Sequence, residues 1–291
     1  MKIRTLTASA VLLLGALALS PASAQTLPAI FAGNAPGDGI YIDEAYLNGL
    51  LAQPQVKIID IRTPEAYAEG HIAGAINIPN TVLSPELAGL RNQLPSIADR
   101  QAAFAGAGLS YDDIIVIYGD DLAGRAYVAF DQSGFEEVHI LEGGITEWTG
   151  AVTAEAVVPT PSDFVLDRAK IEVVDKDYVL AHLDDANTII IDSRGEQGFA
   201  AGSIPGSINI PIGVSHTGAA VHNIEALAAA LEANGVTREH QLILTCGSGN
   251  VASNQLAALR DLGFTNLVLY DGSWEEWGAD PETPKTVAAA G

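Results

Sequence analysis

The chain of 291 residues repeats itself. The run IIDIRTPEAYAEGHIAGAINIP, Ile58 to Pro79, lies without a gap over IIDSRGEQGFAAGSIPGSINIP, Ile190 to Pro211, which starts 132 residues later. Asp60 meets Asp192, Arg62 meets Arg194, Gly70 meets Gly202, and the Ile-Asn-Ile-Pro endings are identical. A second block, GFEEVHILEGGITEW from Gly134, lies over GFTNLVLYDGSWEEW from Gly263, 129 residues later. Two blocks in the same order at nearly the same spacing imply a duplicated domain. The period is far longer than that of a solenoid, so the chain is expected to hold two whole domains in tandem.

Each unit alternates short β-branched runs with helical stretches. In the second, Thr188–Ile191 reads as a strand buried on both faces, and Ser207–Ile210 as another, ended by Pro211. Ile224–Ala233 reads as a helix stopped by Asn234-Gly235, Leu242–Thr245 as a strand, Ala252–Leu262 as a helix and Leu267–Tyr270 as a strand. Such alternation implies an α/β fold, each domain a parallel sheet flanked by helices. The expected boundaries are residues 39–150 for the first domain and 165–280 for the second. Residues 151–164, with Pro159 and Pro161 and no periodicity, form the linker, and residues 281–291 an extended, frayed tail.

The first 24 residues read as a signal peptide. Lys2 and Arg4 precede an apolar run, Val11 to Leu19, and Ala22-Ser23-Ala24 matches an A-x-A cleavage site. The run is shorter than the roughly 20 apolar residues of a membrane span, so no stable membrane insertion is expected. Export places the mature chain in the periplasm or outside the cell. Removing the leader shifts the net charge from −22 to −24 (−22 − 2), because Lys2 and Arg4 are its only charged residues. A chain so acidic repels phosphate backbones, which argues against a nucleic-acid partner. The six histidines show no metal-ligand spacing, and neither a metal nor another cofactor is expected.

Exported proteins commonly use cysteines in pairs, yet this chain has one, Cys246. It sits in LTCGSGNVAS, Leu244 to Ser253, between a strand and a helix. That end of a parallel strand faces the crevice where α/β sheets bind ligands. A helix N-terminus presents unpaired N–H groups, and a loop with Gly247 and Gly249 can turn its own amides inward as an anion nest. Both suit a negative charge carried on sulfur. The bland alternative is a buried structural cysteine, although a buried strand end needs no Gly-Ser-Gly. The matching loop of the first unit, IVIYGDDLAGRAY, is about two residues shorter, has no thiol and carries Asp120 and Asp121, which would repel an anion. The first domain is therefore expected to be catalytically inactive and to form one wall of the cleft.

The order D-x-R, G-[HS]-I-x-G-[AS]-I-N-I-P, cysteine loop and YDGSWEEW resembles the rhodanese family of sulfurtransferases. The tandem arrangement, with cysteine only in the second unit, is similar to the thiosulfate and 3-mercaptopyruvate enzymes. The resemblance covers about Gly39 to Asp280 and implies an enzyme that needs no cofactor. A Cys246 thiolate would take the outer sulfur of a small anionic donor and hold it as a persulfide. A thiol, cyanide or a protein acceptor would then remove it. Gly247, Ser248, Gly249, Asn250 and Val251 would line the donor site. Gly247-Ser248 resembles the mercaptopyruvate pattern, whereas Asn250-Val251 departs from its usual Val-Thr. Ser248 is either a donor contact or a helix cap. Arg194 would bind the donor's charged end by resemblance; the repeated Asp60–Arg62 pair equally suits a structural Asp192–Arg194 contact. The second arginine usual in mercaptopyruvate enzymes is missing from GEQGFAAG. His71 is a candidate substrate contact from the first domain, and Trp274 and Trp277 are packing residues. A phosphatase of the same fold would need arginine six positions after the cysteine, where Ala252 stands, and no C-x-x-C supports a thioredoxin-like reductase. The remaining competitor is a persulfide carrier or anion-binding module that passes sulfur to a protein partner without turnover.

Overall fold

The computed structural model describes residues 39–119, 123–217 and 221–287. The leader, Asp120 and Asp121, and the last four residues of the tail lie outside the described residues. In the first domain the elements are β1 (Tyr41–Ile42), α1 (Glu44–Leu50), β2 (Val56–Asp60), α2 (Pro64–Glu69), β3 (His71–Ile72), β4 (Ile76–Asn77) and α3 (Asn80–Leu83). They continue through α4 (Ile97–Gly106), β5 (Ile114–Tyr118), α5 (Gly124–Asp131), β6 (Val138–Leu141), α6 (Gly144–Glu147) and β7 (Val152–Thr153). The second domain opens with β8 (Val173–Val174), α7 (Lys176–Ala181), β9 (Thr188–Asp192), α8 (Glu196–Ala201), β10 (Ile208–Asn209) and α9 (Ile212–Ser215). A hairpin of β11 (His216–Thr217) and β12 (Val221–His222) follows. Then come α10 (Ile224–Ala233), β13 (Gln241–Thr245), α11 (Asn250–Asp261), β14 (Leu267–Tyr270) and α12 (Ser273–Ala279).

Each domain is built on a five-stranded parallel sheet. The orders are β1-β6-β5-β2-β4 and β8-β14-β13-β9-β10, the same arrangement twice. The central strands are runs such as Ile114-Ile-Val-Ile-Tyr118, buried along their whole length because helices cover both faces. Helix starts are set by local chemistry in matching places. Asp43 caps α1 by accepting from the Tyr46 amide, and Asp175 caps α7 by accepting from the Tyr178 amide.

The duplicated halves share one core. A large apolar cluster runs from Tyr41, Ile117 and Phe130 in the first domain to Leu244, Leu256 and Leu269 in the second. A smaller cluster lines the other face of each sheet. The halves meet at α5 and α11. There Asn254 Oδ1 accepts from the Gly124 amide at 2.8 Å, so a second-domain side chain satisfies the orphan start of a first-domain helix. The exchange runs both ways. Asp261 on α11 accepts from the amides of Ile40 and Tyr41 (2.6 and 3.1 Å), which lead into β1. Gln132, just after α5, accepts from the Glu172 amide (3.0 Å), which leads into β8. Arg260 completes the seam on Asp131, Glu172 and the Tyr127 hydroxyl.

Three expectations need revision. The tail is extended but anchored: Trp277 Nε1 donates to the Pro284 carbonyl, and Ser203 and Thr286 form a β-bridge. The helix expected from Ala252 begins at Asn250, because Gly249 takes a left-handed φ of 80° and ends the loop there. The linker is partly ordered, since β7 pairs antiparallel with β3 and Phe164 stacks on Phe135 in the first domain.

The α5–α11 crossing requires a glycine. A Cβ at Gly124 would stand 2.6 Å from Asn254 Cα. Gly124→Ala is expected to destabilise the protein by about 1–3 kcal/mol through overpacking. Denaturant unfolding followed by tryptophan fluorescence checks this; an unchanged midpoint would show that the seam tolerates the methyl group.

Candidate active site

β13 is the central strand of the second sheet, with β9 and β14 on either side. Its last residue, Thr245, leads directly into Cys246, which is 2 % exposed and forms part of the large core cluster. α12 clamps the loop from one side. The Trp274 and Glu275 amides donate to the Cys246 and Gly247 carbonyls at 3.0 and 2.9 Å. The Cys246 amide donates to Ser273 Oγ at 3.2 Å, and that hydroxyl donates to the Tyr270 carbonyl at 3.0 Å. Ser273 reaches this position with φ +51°, in the left-handed region where non-glycine residues are strained. The matching residue in the first domain is Gly144, also at φ +51°. Burial first, and then its hydrogen bond to Glu276, raise the pKa of the Tyr270 phenol, so it remains a proton donor to that carboxylate.

The amides of Gly247, Ser248, Gly249, Asn250 and Val251 donate no hydrogen bond among the described residues. They lie in the loop and first turn at the uncapped N-terminus of α11. A run of free N–H groups beside a sulfur is the electrostatic arrangement that holds a sulfur-borne anion.

The first domain closes over this loop. Asn92 Nδ2 donates to Ser248 Oγ at 2.8 Å. Gln93 Nε2 donates to the Asp271 carbonyl, and the Leu94 amide to the Asp271 carboxylate. Arg91 pairs with Glu275 at 2.9 Å. From α5, Arg125 extends a fully buried guanidinium to Asp271, Nη2 to Oδ1 at 2.5 Å. Ser248 is therefore a tie between domains, and no side chain caps α11. The sequence reading missed Arg91, Asn92, Gln93, Arg125, Asp271 and Ser273. The first five meet across the domain boundary, where no local pattern signals contact.

The geometry of a lone cysteine on a central strand, in the second of two matching domains, can be set beside known proteins. Rhodanese-like domains match residues 43–151 and 175–280. The chain belongs to the rhodanese-like family. It is 29 % identical over 266 residues to thiosulfate sulfurtransferase of Azotobacter vinelandii, covering 84 % of this chain and 96 % of that protein. It is likewise 29 % identical over 272 residues to 3-mercaptopyruvate sulfurtransferase of Escherichia coli K12, with the same coverage. The crystal structure of SseA from Escherichia coli, a 3-mercaptopyruvate sulfotransferase of the rhodanese fold, superposes with a TM-score of 0.72 at 28 % identity. That match covers 81 % of this chain and 99 % of SseA.

Within this rhodanese-like chain the D-x-R motif builds the same scaffold twice. Arg194 donates through Nε and Nη2 to the Asp192 carboxylate and through Nη2 to the Gly202 carbonyl at 2.6 Å. Arg62 does the same to Asp60 and Gly70. Asn209 and Asn77, from the Ile-Asn-Ile-Pro endings, each donate to the carbonyls of their own Asp and Arg. The Arg194 guanidinium also lies 4.4 Å over the Trp274 ring, the residue whose amide holds Cys246. These contacts account for the motif in both domains without a ligand. His71 is buried on β3, stacked on Tyr67 at 3.7 Å with Nδ1 on the Tyr67 carbonyl. No contact joins it to the cysteine loop among the described residues. Asn250 and Val251 occupy the first turn of α11, half-buried. Trp277 is fully buried, a packing residue as expected.

Two outcomes follow from this geometry. Arg194→Ala and Arg62→Ala each remove the cation paired with a buried carboxylate, and each is expected to cost about 3–5 kcal/mol in denaturant unfolding, the Arg62 change at the lower end because the Tyr118 hydroxyl still donates to Asp60. A much smaller cost for Arg194 alone would argue against the shared scaffold role. Ser273→Ala removes the acceptor of the Cys246 amide and is expected to cost about 1–2 kcal/mol. Ser273→Gly loses the same bond but relieves the left-handed strain, so its midpoint should fall between Ser273→Ala and the unsubstituted protein.

Proposed function

We propose that this chain is an exported sulfurtransferase that moves sulfane sulfur through a persulfide on Cys246. The observation that carries the reading is the contrast between matched loops. The chain's only thiol follows the central strand of the second domain and directly precedes a run of free amides, and the first domain has no thiol there. Sulfurtransferase relatives of both the thiosulfate and the 3-mercaptopyruvate type span nearly the whole chain, which supports the reaction class.

In the first half-reaction the Cys246 thiolate attacks the outer sulfur of the donor. A new S–S bond forms, and the bond from that sulfur to the rest of the donor breaks. The electron pair leaves with sulfite, or with the enolate of pyruvate, which then takes a proton. The persulfide's negative terminal sulfur lies against the amides of Gly247 to Val251 and the α11 N-terminus. In the second half-reaction a thiol or cyanide attacks that terminal sulfur, the S–S bond breaks and the Cys246 thiolate returns. Two displacements replace one difficult transfer. Arg194 acts by holding the strand end and Trp274 in place. The leader carries the chain to the periplasm or beyond, where a persulfide on Cys246 has no second cysteine in its own chain to attack it. No helix among the described residues is long and apolar enough to cross a membrane.

The burial of Cys246 favours one competing reading, a carrier that accepts sulfur once and hands it only to a protein partner. Incubation with thiosulfate or 3-mercaptopyruvate and then cyanide separates the two. Sustained thiocyanate formation, abolished by Cys246→Ser, is the expected result. A stoichiometric burst without turnover would support the carrier. Failure of Cys246 to gain a sulfur atom in the intact mass with either donor would exclude both.

A further inference from the structure

The cysteine loop has no cation of its own. Cys246 to Ser253 contains neither lysine nor arginine, and Arg194 is engaged with Asp192 and Gly202. The chain carries a net charge of −22, so a small anionic donor approaches against repulsion. Among the described residues, a positive group with free donors reaches this loop from the other domain. Arg125 on α5 is 0 % exposed. Its Nη2 is bound to Asp271, while Nε and Nη1 are buried without a hydrogen-bond partner. Buried guanidinium donors left unpaired are costly, and such groups call for a functional explanation. Nη1 stands 3.6 Å from where a Cβ on Gly249 would be. Gly249 is the N-cap of the twelve-residue helix α11, three residues beyond Cys246. The free donor therefore lies against the same helix N-terminus that presents the free loop amides.

We propose that Arg125, from the domain without a cysteine, binds the oxyanion of the sulfur donor at the N-terminus of α11. The proposal rests on the sulfurtransferase reading and names the group that recognises its substrate. Asp271 fixes the guanidinium through Nη2, and the Leu94 amide holds Asp271 in turn. Nη1 is then left to donate to a sulfonate or carboxylate oxygen while the donor's outer sulfur faces Cys246. This supplies from across the domain seam the cation that the GEQGFAAG segment lacks. It also gives the first domain a direct part in the reaction. A Cβ on Gly249 would crowd the Asp271 carbonyl at 3.2 Å as well as approach Arg125 Nη1, so glycine keeps this space open.

Two measurements test the assignment. The first is binding of sulfite and of pyruvate, the leaving groups of the two donors, which bring no sulfane sulfur and need no turnover. Titration calorimetry is expected to show binding of at least one to the unsubstituted protein and an affinity about 10- to 100-fold weaker in Arg125→Gln, the loss typical of one charge-assisted hydrogen bond. Equal affinities, or no binding of either anion to the unsubstituted protein, would overturn the proposal even if Cys246 transfers sulfur. The second is steady-state kinetics. Arg125→Gln is expected to raise KM for the donor by a similar factor. Release of sulfur from persulfide-loaded protein to cyanide should keep its rate. Arg125→Lys retains a charge for Asp271 but not the Nη1 position. It is expected to melt near the unsubstituted protein while still showing the raised KM, which a purely structural tie would not do. Anion binding that depends on Arg125 in a protein that never loads Cys246 would leave this site standing and refute the sulfurtransferase reading instead.

Discussion

The crossing of α5 and α11 is the contact on which the rest of this structure depends. At Gly124 the helices approach so closely that an asparagine of one supplies the N-terminal hydrogen bond of the other. At the far end of each helix a side chain secures the start of the first strand of the opposite domain, Asp261 for β1 and Gln132, just after α5, for β8. Neither sheet has a complete edge without its neighbour. The apolar core is continuous across the seam for the same reason. The register of one domain on the other is therefore set by hydrogen bonds of defined direction, and not by hydrophobic area alone, which has no direction.

That fixed register makes the division of labour possible. Both domains keep the Asp-Arg-Asn scaffold, with matching bonds and nearly matching distances. What differs is carried on the loops that the scaffold supports. One central strand ends in Cys-Gly-Ser-Gly, and the other ends without a thiol. Arg91, Asn92, Gln93 and Arg125 all point their polar atoms at the second domain. Ser273, in a strained conformation where the first domain has glycine, belongs to the same specialisation.

Most of the architecture was legible in the sequence because it is local or repeated. The helix at Ile224–Ala233 and the strand at Leu267–Tyr270 were bounded by their own punctuation, Asn-Gly after the first and the Asp-Gly pair after the second. The duplication exposed the Asp-Arg pair, which makes the same contacts in the domain with the cysteine and in the domain without it. The start of α11 was misplaced by two residues because a left-handed Gly249 cannot be told from other glycines by pattern. The partners of the cysteine loop were hidden for a different reason. Arg125 and Asp271 are 146 residues apart, and Arg91 and Glu275 are 184 apart. Such pairs obey no periodicity, and only the packing of α5 on α11 brings them together.

The same packing creates a tension between order and access. Cys246 belongs to the core, yet the proposed persulfide chemistry requires contact with a molecule from solvent. Separating the domains would expose the shared cluster, at roughly 25 cal/mol for each Å² of apolar surface, which is prohibitive for every turnover. The segment Arg91–Leu94 is held differently. Leu94 packs against the shared core, and the segment's polar ties to the second domain are one exposed ion pair and a few hydrogen bonds to side chains and carbonyls. Each contributes only about 0.5–1.5 kcal/mol net, because water replaces the bond when it breaks. Asn92 also sits in a left-handed conformation at φ +56°, so part of that small gain is spent on backbone strain. Loosening this segment would cost less than parting the domains. It leaves α5, and with it Arg125, in place against the N-terminus of α11.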